Sequence, residues 1–420
     1  MSHWFHRNPF KATTANNFTV TGGYGPDVTA LCVALKDSRQ KLLNIIVDPH
    51  QPSSDVEELL KNYLSLLRGF LFTIDEKGEK THEPSKLRHC FIFKWTHTLL
   101  GNVPQSVHDA FYEAASMSIN VAIWHMKHAS MVAAGDNVSL DQCKEVHLEL
   151  KLAASIFKFV EDFYLPRLIE KPMAGSDLDP RILKAYVHQS IAEAQEVTVA
   201  RAMELKHNPT IIAGIANETS KRFLLAFNSL QDIKEAVQWK TYLKLKSLIY
   251  LSFAYCFFGE TLLSQDKCGE AIRALHESRT YHKQALEWCK QYGKIKSPDS
   301  KIKPESHLFF RKLASVVELS MNKCERENGL IYHQKVPDAT PKLEAEANFG
   351  LVTPDEMKLP DPSPLWSPAL FAAFPYKPIE TREMTATAAA SKLEELPPVK
   401  EVPIKHTDKD QKNKSGCIIQ

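Results

Sequence analysis

Between positions 106 and 328 apolar residues return every three or four places, the repeat of helices that each bury one stripe. The repeat divides into candidate helices over 106–133, 139–169, 179–206, 209–230, 232–265, 267–292 and 304–328. Several ends are legible. Asp179-Pro180 and Asn208-Pro209 each set a capping side chain ahead of a proline at the first helical position. Gly293 and Gly329 stand where two helices are expected to stop. Strand character is confined to an earlier stretch. Leu71-Phe72-Thr73-Ile74 precedes a polar, glycine-containing turn, Asp75 to Lys86, and the β-prone Cys90-Phe91-Ile92-Phe93-Lys94-Trp95 follows. This pattern predicts a small hairpin capping a predominantly all-α body.

Within the body, Tyr255, Gly259, Leu262, Lys267, Glu270-Ala271-Ile272 and Leu275 resemble one tetratricopeptide unit, in which small residues let two antiparallel helices approach. An ordinary packed hairpin fits the same residues. From Pro337 onward the pattern changes: 12 of the 24 prolines lie in the last 84 residues. Residues 337–376 are expected to form an extended wrap on the body, held by Trp366, Leu365, Leu370, Phe371 and Phe374, and 377–420 a flexible tail.

Composition narrows the function. A chain of 420 residues with 15 glycines is poor in tight turns, which disfavours sandwiches, propellers and nucleotide-binding sheets. A net charge of +2 argues against nucleic acid as a partner. Eight cysteines without a CxxC pair favour a reducing, cytoplasmic setting over a zinc ribbon or disulfide scaffold. The N-terminus lacks a charged-then-apolar signal pattern. The most apolar run, 248–258, is 11 residues, where a membrane span needs about 20. His125 and His128, three apart on one helix, are expected to have no nearby carboxylate or cysteine and so to make a poor metal site. Gly22-Gly23-Tyr24-Gly25 has neither the spacing nor the lysine of a phosphate loop, and no G-x-S-x-G elbow occurs. A non-enzymatic protein without cofactor or metal is therefore expected.

The chain ends Cys417-Ile418-Ile419-Gln420, a C-a-a-X prenylation box whose final glutamine favours farnesyl. One lipid of this class gives reversible membrane binding. The preceding Lys405, Lys409, Lys412 and Lys414 outnumber Asp408 and Asp410 by two, each excess charge adding about 1 kcal/mol at an anionic leaflet. A second contact is needed to hold the protein at a membrane.

The folded part supplies a candidate for that contact. Ala192-Glu193-Ala194-Gln195-Glu196-Val197, leading to Ile211-Ile212-Ala213-Gly214-Ile215-Ala216, resembles the signature of BRO domains, the family of Alix and its relatives. Phe93-Lys94-Trp95, Ala153-Ala154-Ser155-Ile156-Phe157 and Ile331 to Pro337 look family-like in the same order, so the resemblance covers roughly residues 1–376. It implies an elongated, curved helical domain with a tetratricopeptide-like core. It also implies binding of the C-terminal amphipathic helix of ESCRT-III subunits, the charged multivesicular body proteins, in a concave groove. The groove positions fall at Thr198, Ile211 and Ile215. Thr198 departs from the large apolar residue usual there.

Periodicity bears on those positions. At about 100° per residue, Ile212, Ala216, Thr219, Phe223, Phe227 and Leu230 share one face, the core stripe. Ile211 and Ile215 stack one turn apart beside it, in line with Glu218 and Arg222, where either exposure or cover by helix 179–206 is open. Arg201, three residues after Thr198 on the same face, would suit an acidic partner helix or be a solvated charge. Leu148 and Leu152 are further groove candidates for which a core role is the competing expectation. The function expected is a monomeric, cytoplasmic adaptor peripherally attached to endosomal or other ESCRT-active membranes. A tetratricopeptide-like scaffold for a cytoskeletal or chaperone tail is the alternative.

Overall fold

Ala110–Ala133 has no polar face, and a helix of that kind belongs in the middle of a domain. In the computed structural model it is buried almost all round. The structure describes residues 3–19, 25–75, 83–135, 138–295, 308–343, 347, 349–374 and 395–404. In chain order the elements are α1 (Pro26–Ile45), α2 (Ser53–Leu71), β1 (Phe93–His97), β2 (Gly101–Val107), α3 (Ala110–Ala133), α4 (Leu140–Phe159), α5 (Pro180–Glu204), α6 (Pro209–Ser229), α7 (Val237–Ser264), α8 (Cys268–Lys294), α9 (Leu308–Glu327) and α10 (Pro368–Ala373). From α3 to α8 each helix packs chiefly on its sequence neighbours, which makes a layered array.

The helical body matches the expectation, with trimmed ends. Asp179 accepts a hydrogen bond from the Arg181 N–H and Asn208 one from the Thr210 N–H, as their capping positions require. α4 stops at Phe159 and continues through a π-turn (Val160–Tyr164) and a 3₁₀ turn (Leu165–Arg167), because Pro166 has no N–H to extend the ladder. Neither glycine ends its helix. Gly293 lies in the last turn of α8, and Gly329 within a π-turn, Asn328–Tyr332. The chain reverses at His333, φ 49°, whose N–H donates to the Asn328 carbonyl at 2.8 Å. The close approach expected at Gly259 is present: a Cβ there would meet Leu275 Cγ at 2.9 Å. Serines join the same layers, with the Ser220 hydroxyl donating to the Ser247 carbonyl and that of Ser252 to Ser278, both at 2.8 Å.

The hairpin is displaced from its expected position. β1 pairs with β2 antiparallel, Phe93 opposite Val107 and Trp95 opposite Gln105, across a turn in which Gly101 takes φ 83°. Leu71 instead closes α2, and Phe72 makes a single bridge to Pro84. β2 has little apolar alternation and contains Pro104, so its strand register is set by β1 and not by its own residues. It also takes residues 106 and 107, expected to begin α3. α1 and α2 were not delimited by the pattern.

Both chain ends are used as packing material. Residues 3–12 run through the interior and place His3, Arg7 and Lys11 against buried acids. α7 falls in a stretch, Lys234–Ser264, apolar and long enough to cross a membrane, but 78% of that window is buried in the body. Over its described part the wrap packs on the body. Asp355 N–H donates to Ser155 Oγ at 2.8 Å, and Trp366 Nε1 donates to the Leu66 carbonyl at 2.8 Å. Trp366 lies on Gly69, where a Cβ would come within 2.5 Å of the indole. Residues 395–404, within the stretch expected to be a free tail, also pack on the body. Leu396 N–H reaches the Asn102 carbonyl, Val402 N–H the Val47 carbonyl, and Glu401 pairs with Lys127.

Two consequences can be measured. Trp366→Ala leaves a void against α2, so it should lower the free energy of urea unfolding by about 3 kcal/mol and open residues 355–374 to proteolysis; an unchanged midpoint would contradict the packing. His6 is buried between Asn8 and Tyr292, and burial pushes its imidazole down to about 4. The folded chain then refuses a proton that the unfolded chain accepts below about 6.5. Its contribution is complete above that pH and is lost as pH falls toward 4, about 3 kcal/mol in all. Urea melts between pH 7 and 4 should show a smaller loss in His6→Asn than in the parent.

Candidate functional site

α4 carries two stripes. Val146, Leu150, Ala153, Ala154 and Phe157 face the core. Leu140, Cys143, Lys144, His147 and Leu148, spaced i, i+3, i+4, i+7 and i+8, face outward and form one wall of a furrow. The floor comes from α5, with Val197, Thr198, Arg201 and Ala202. His207 in the α5–α6 turn and Ile211 and Ile215 on α6 form the second wall. Phe349 and Gly350 of the wrap close one end. The furrow encloses about 540 Å³.

The two isoleucines are not equivalent. Ile211 is 40% exposed and Ile215 is 3% exposed. The cover over Ile215 includes the wrap as well as the body. Gly350, at φ 74°, lies so close that a Cβ on it would stand 3.0 Å from both Ile215 Cδ1 and Thr198 Cγ2. The small side chain at 198 is what leaves room for this backbone. Leu148 is 60% exposed, against the core role that competed for it. Leu152, one turn along α4, is half-buried against the core and does not line the furrow. Thus Thr198, Arg201, Ile211, Ile215 and Leu148 come together and Leu152 stands apart. The core stripe expected on α6 is present, with Ile212, Ala216, Thr219 and Phe223 buried.

The furrow is lined mainly by apolar groups, with two ion-paired cations among them. His147 donates through Nδ1 to the Ala194 carbonyl at 3.3 Å, and burial lowers its imidazole below the usual value, so it is neutral at pH 7. Burial also pushes the Cys143 thiol up, which makes it an unreactive wall group. Arg201 donates through Nη1 to Glu204 at 3.2 Å. Its Nε is shielded from solvent and has no hydrogen-bond partner among the described residues. Lys144 adds a second cation, which donates to Asp141 at 3.1 Å.

Apart from Leu148, the α4 residues of the furrow (Leu140, Cys143, Lys144 and His147), and likewise His207, Phe349 and Gly350, were not singled out from the sequence. The second α4 stripe was readable in principle, and so was an aromatic beside glycine after the polar Glu344–Asn348 run. The histidines of α3 do have carboxylates, supplied by α4 across the helix pair. His125 Nδ1 meets Glu149 at 2.6 Å, and His128 Nε2 meets Glu145 at 2.9 Å. These are paired core groups, and no cluster of three metal-binding side chains occurs among the described residues. Cys417 and Gly22 to Tyr24 lie outside the described residues.

This geometry can be set beside known proteins. The human BRO1 domain-containing protein BROX is 46% identical over 377 residues, 89% of this chain and 91% of that relative. The zebrafish protein of the same description is 41% identical over 422 residues, all of both chains. The solved ALIX BRO1 CHMP4C complex superposes with a TM-score of 0.63 at 19% identity, covering 86% of this chain and 99% of the other, which shows a shared fold. The BRO1-like domain model matches residues 18–386, and the chain therefore belongs to the BRO1-like domain family.

Proposed function

We propose that this protein is a non-enzymatic adaptor that docks the C-terminal amphipathic helix of ESCRT-III subunits, the charged multivesicular body proteins, in the α4–α5–α6 furrow and links them to membranes. The observation that carries this is an open apolar furrow on a BRO1-like domain, with Leu148, Ile211 and Phe349 exposed along it. Soluble proteins keep such residues exposed where something binds. Family membership and the shared fold with a BRO1 domain solved with CHMP4C support the choice of partner. The partner helix would lay its apolar face on Leu148 and Ile211, with acidic groups meeting Arg201 and Lys144. Apolar anchors then dominate the affinity, and the rim charges set orientation and rate.

The membrane contact is assigned to Cys417. Its thiolate would form a thioether to C1 of farnesyl diphosphate with release of diphosphate, followed by loss of Ile418 to Gln420 and carboxyl methylation. Match to the zebrafish relative over all of both chains keeps this tail within the shared region. A single lipid and a short furrow are each weak, but together each raises the effective concentration for the other. Endosomal or other ESCRT-active membranes are the expected location.

Because Ile215 is sealed by Gly350, a charge there would disturb folding, and Ile211 is the position to alter. Ile211→Asp should weaken binding of a CHMP4C C-terminal peptide at least tenfold, read by fluorescence anisotropy, with an unchanged thermal midpoint. Equal binding would move the partner off this furrow and favour a scaffold for another tail. In a eukaryotic host, intact mass should show the farnesylated, trimmed and methylated terminus, and Cys417→Ser or Ile211→Asp should each release most of the protein from membranes. An unmodified Gln420 terminus would remove the lipid from the account.

A further inference from the structure

We infer that the furrow also shelters the isoprenoid of this chain's own tail when no membrane takes it, so that lipid and partner helix compete for one site. The inference rests on Cys417 being farnesylated, as proposed above. It is carried by the route of the C-terminal chain. Residues 395–404 do not hang free. Glu401 accepts from the Phe10 N–H at 3.0 Å and pairs with Lys127 on α3. The next residue, His128, holds Glu145 of α4 at 2.9 Å, and Lys144 beside Glu145 lines the furrow. The tail is thus rooted two side-chain pairs from the furrow wall, on the order of 30 Å away even if every step adds in one direction. Sixteen residue steps lead from Glu401 to Cys417 and span up to about 55 Å. The root therefore lies within reach of the furrow.

The furrow also suits the ligand. A cavity of ~150 Å³ lined by aliphatic side chains holds a benzene, so a chain of about fifteen carbons needs roughly 375 Å³. The furrow offers about 540 Å³, walled by Leu140, Leu148, Val197, Ile211 and Phe349. An isoprenoid has no polar group to match, and the inward groups here have none to offer, since His147 is bound to Ala194 and the Cys143 thiol is protonated. The edge of the furrow offers the tail lysines no net attraction, since Lys144 is paired with Asp141 and Arg201 with Glu204, whereas an anionic leaflet attracts Lys405 to Lys414. The sheltered state is accordingly one that a bilayer can empty. Emptying it frees the furrow, so membrane and partner helix favour each other beyond simple tethering.

The test uses the full chain, farnesylated in vitro with a diazirine-bearing farnesyl diphosphate. Intact mass reports the addition, and irradiation without lipid followed by peptide mapping reports where the isoprenoid lies. The expected result is cross-linking to α4 at 140–148, to α6 at 211–215 and to Phe349. Labelling there should fall several-fold in Leu148→Asp, whose side chain is exposed and whose folding is unaffected, and also on adding phosphatidylcholine–phosphatidylserine vesicles. Mass gain with labels elsewhere, or spread evenly over the surface, overturns sheltering and leaves the farnesyl assignment standing. No mass gain overturns both.

Discussion

α5 has to bury two carboxylates, and the site follows from that. Glu196 accepts from Lys246 at 2.9 Å through both oxygens and meets His3 at 2.9 Å. Glu193 is held by Arg7 at 2.8 Å, Tyr242 at 2.6 Å and Gln189 at 2.8 Å. Burial drives the Glu193 carboxyl up, and Arg7 only partly offsets it. Burial acts on Glu196 as well, but Lys246 and His3 outweigh it and hold that carboxyl below its usual range. A buried charge that loses its partners costs several kcal/mol, so α5 cannot rotate away from this arrangement. Thr198 and Arg201 stand about 160° and 140° round the helix from Glu196. Fixing the acids inward fixes these two outward, as the floor of the furrow.

The partners that pin α5 come from α7, through Lys246 and Tyr242, and from the N-terminal segment, through His3 and Arg7, and the strap against Ile215 comes from beyond residue 340. The site thus draws on both ends of the described chain, although its walls and floor are three consecutive helices. The same logic explains why the wrap is ordered despite its prolines. It contributes no ladder of its own, and is held by isolated bonds to helix carbonyls and by aromatic contacts such as Trp366 against Phe70, 5.3 Å between ring centres.

What was legible in the sequence is what local physics decides. The caps at Asp179 and Asn208 and the core stripe of α6 are set within one or two helical turns, whereas the grouping of Thr198, Ile211 and Ile215 across two helices was legible only through the family resemblance. The split between Ile211 and Ile215 was not legible, because the backbone that covers Ile215 is some 135 residues away. Leu148 was drawn toward the core by its neighbours, when it belongs to a second stripe that the body leaves exposed. The hairpin slipped for a related reason. Phe72 has strand character but ends a strongly amphipathic helix, whereas β2 has little strand character and is recruited by β1. Phe349 and Gly350 matter through contacts that no periodicity reports.

The account depends on the furrow being open to a visiting helix while the interior stays closed. Methyl-resolved NMR of the full chain, titrated with a CHMP4C C-terminal peptide, addresses this directly. The methyls of Ile211 and Leu148 should shift in proportion to occupancy, while those of Ile249, fully buried in α7, should not. Shifts confined to another face of the molecule, with Ile211 and Leu148 unmoved at saturation, would contradict it.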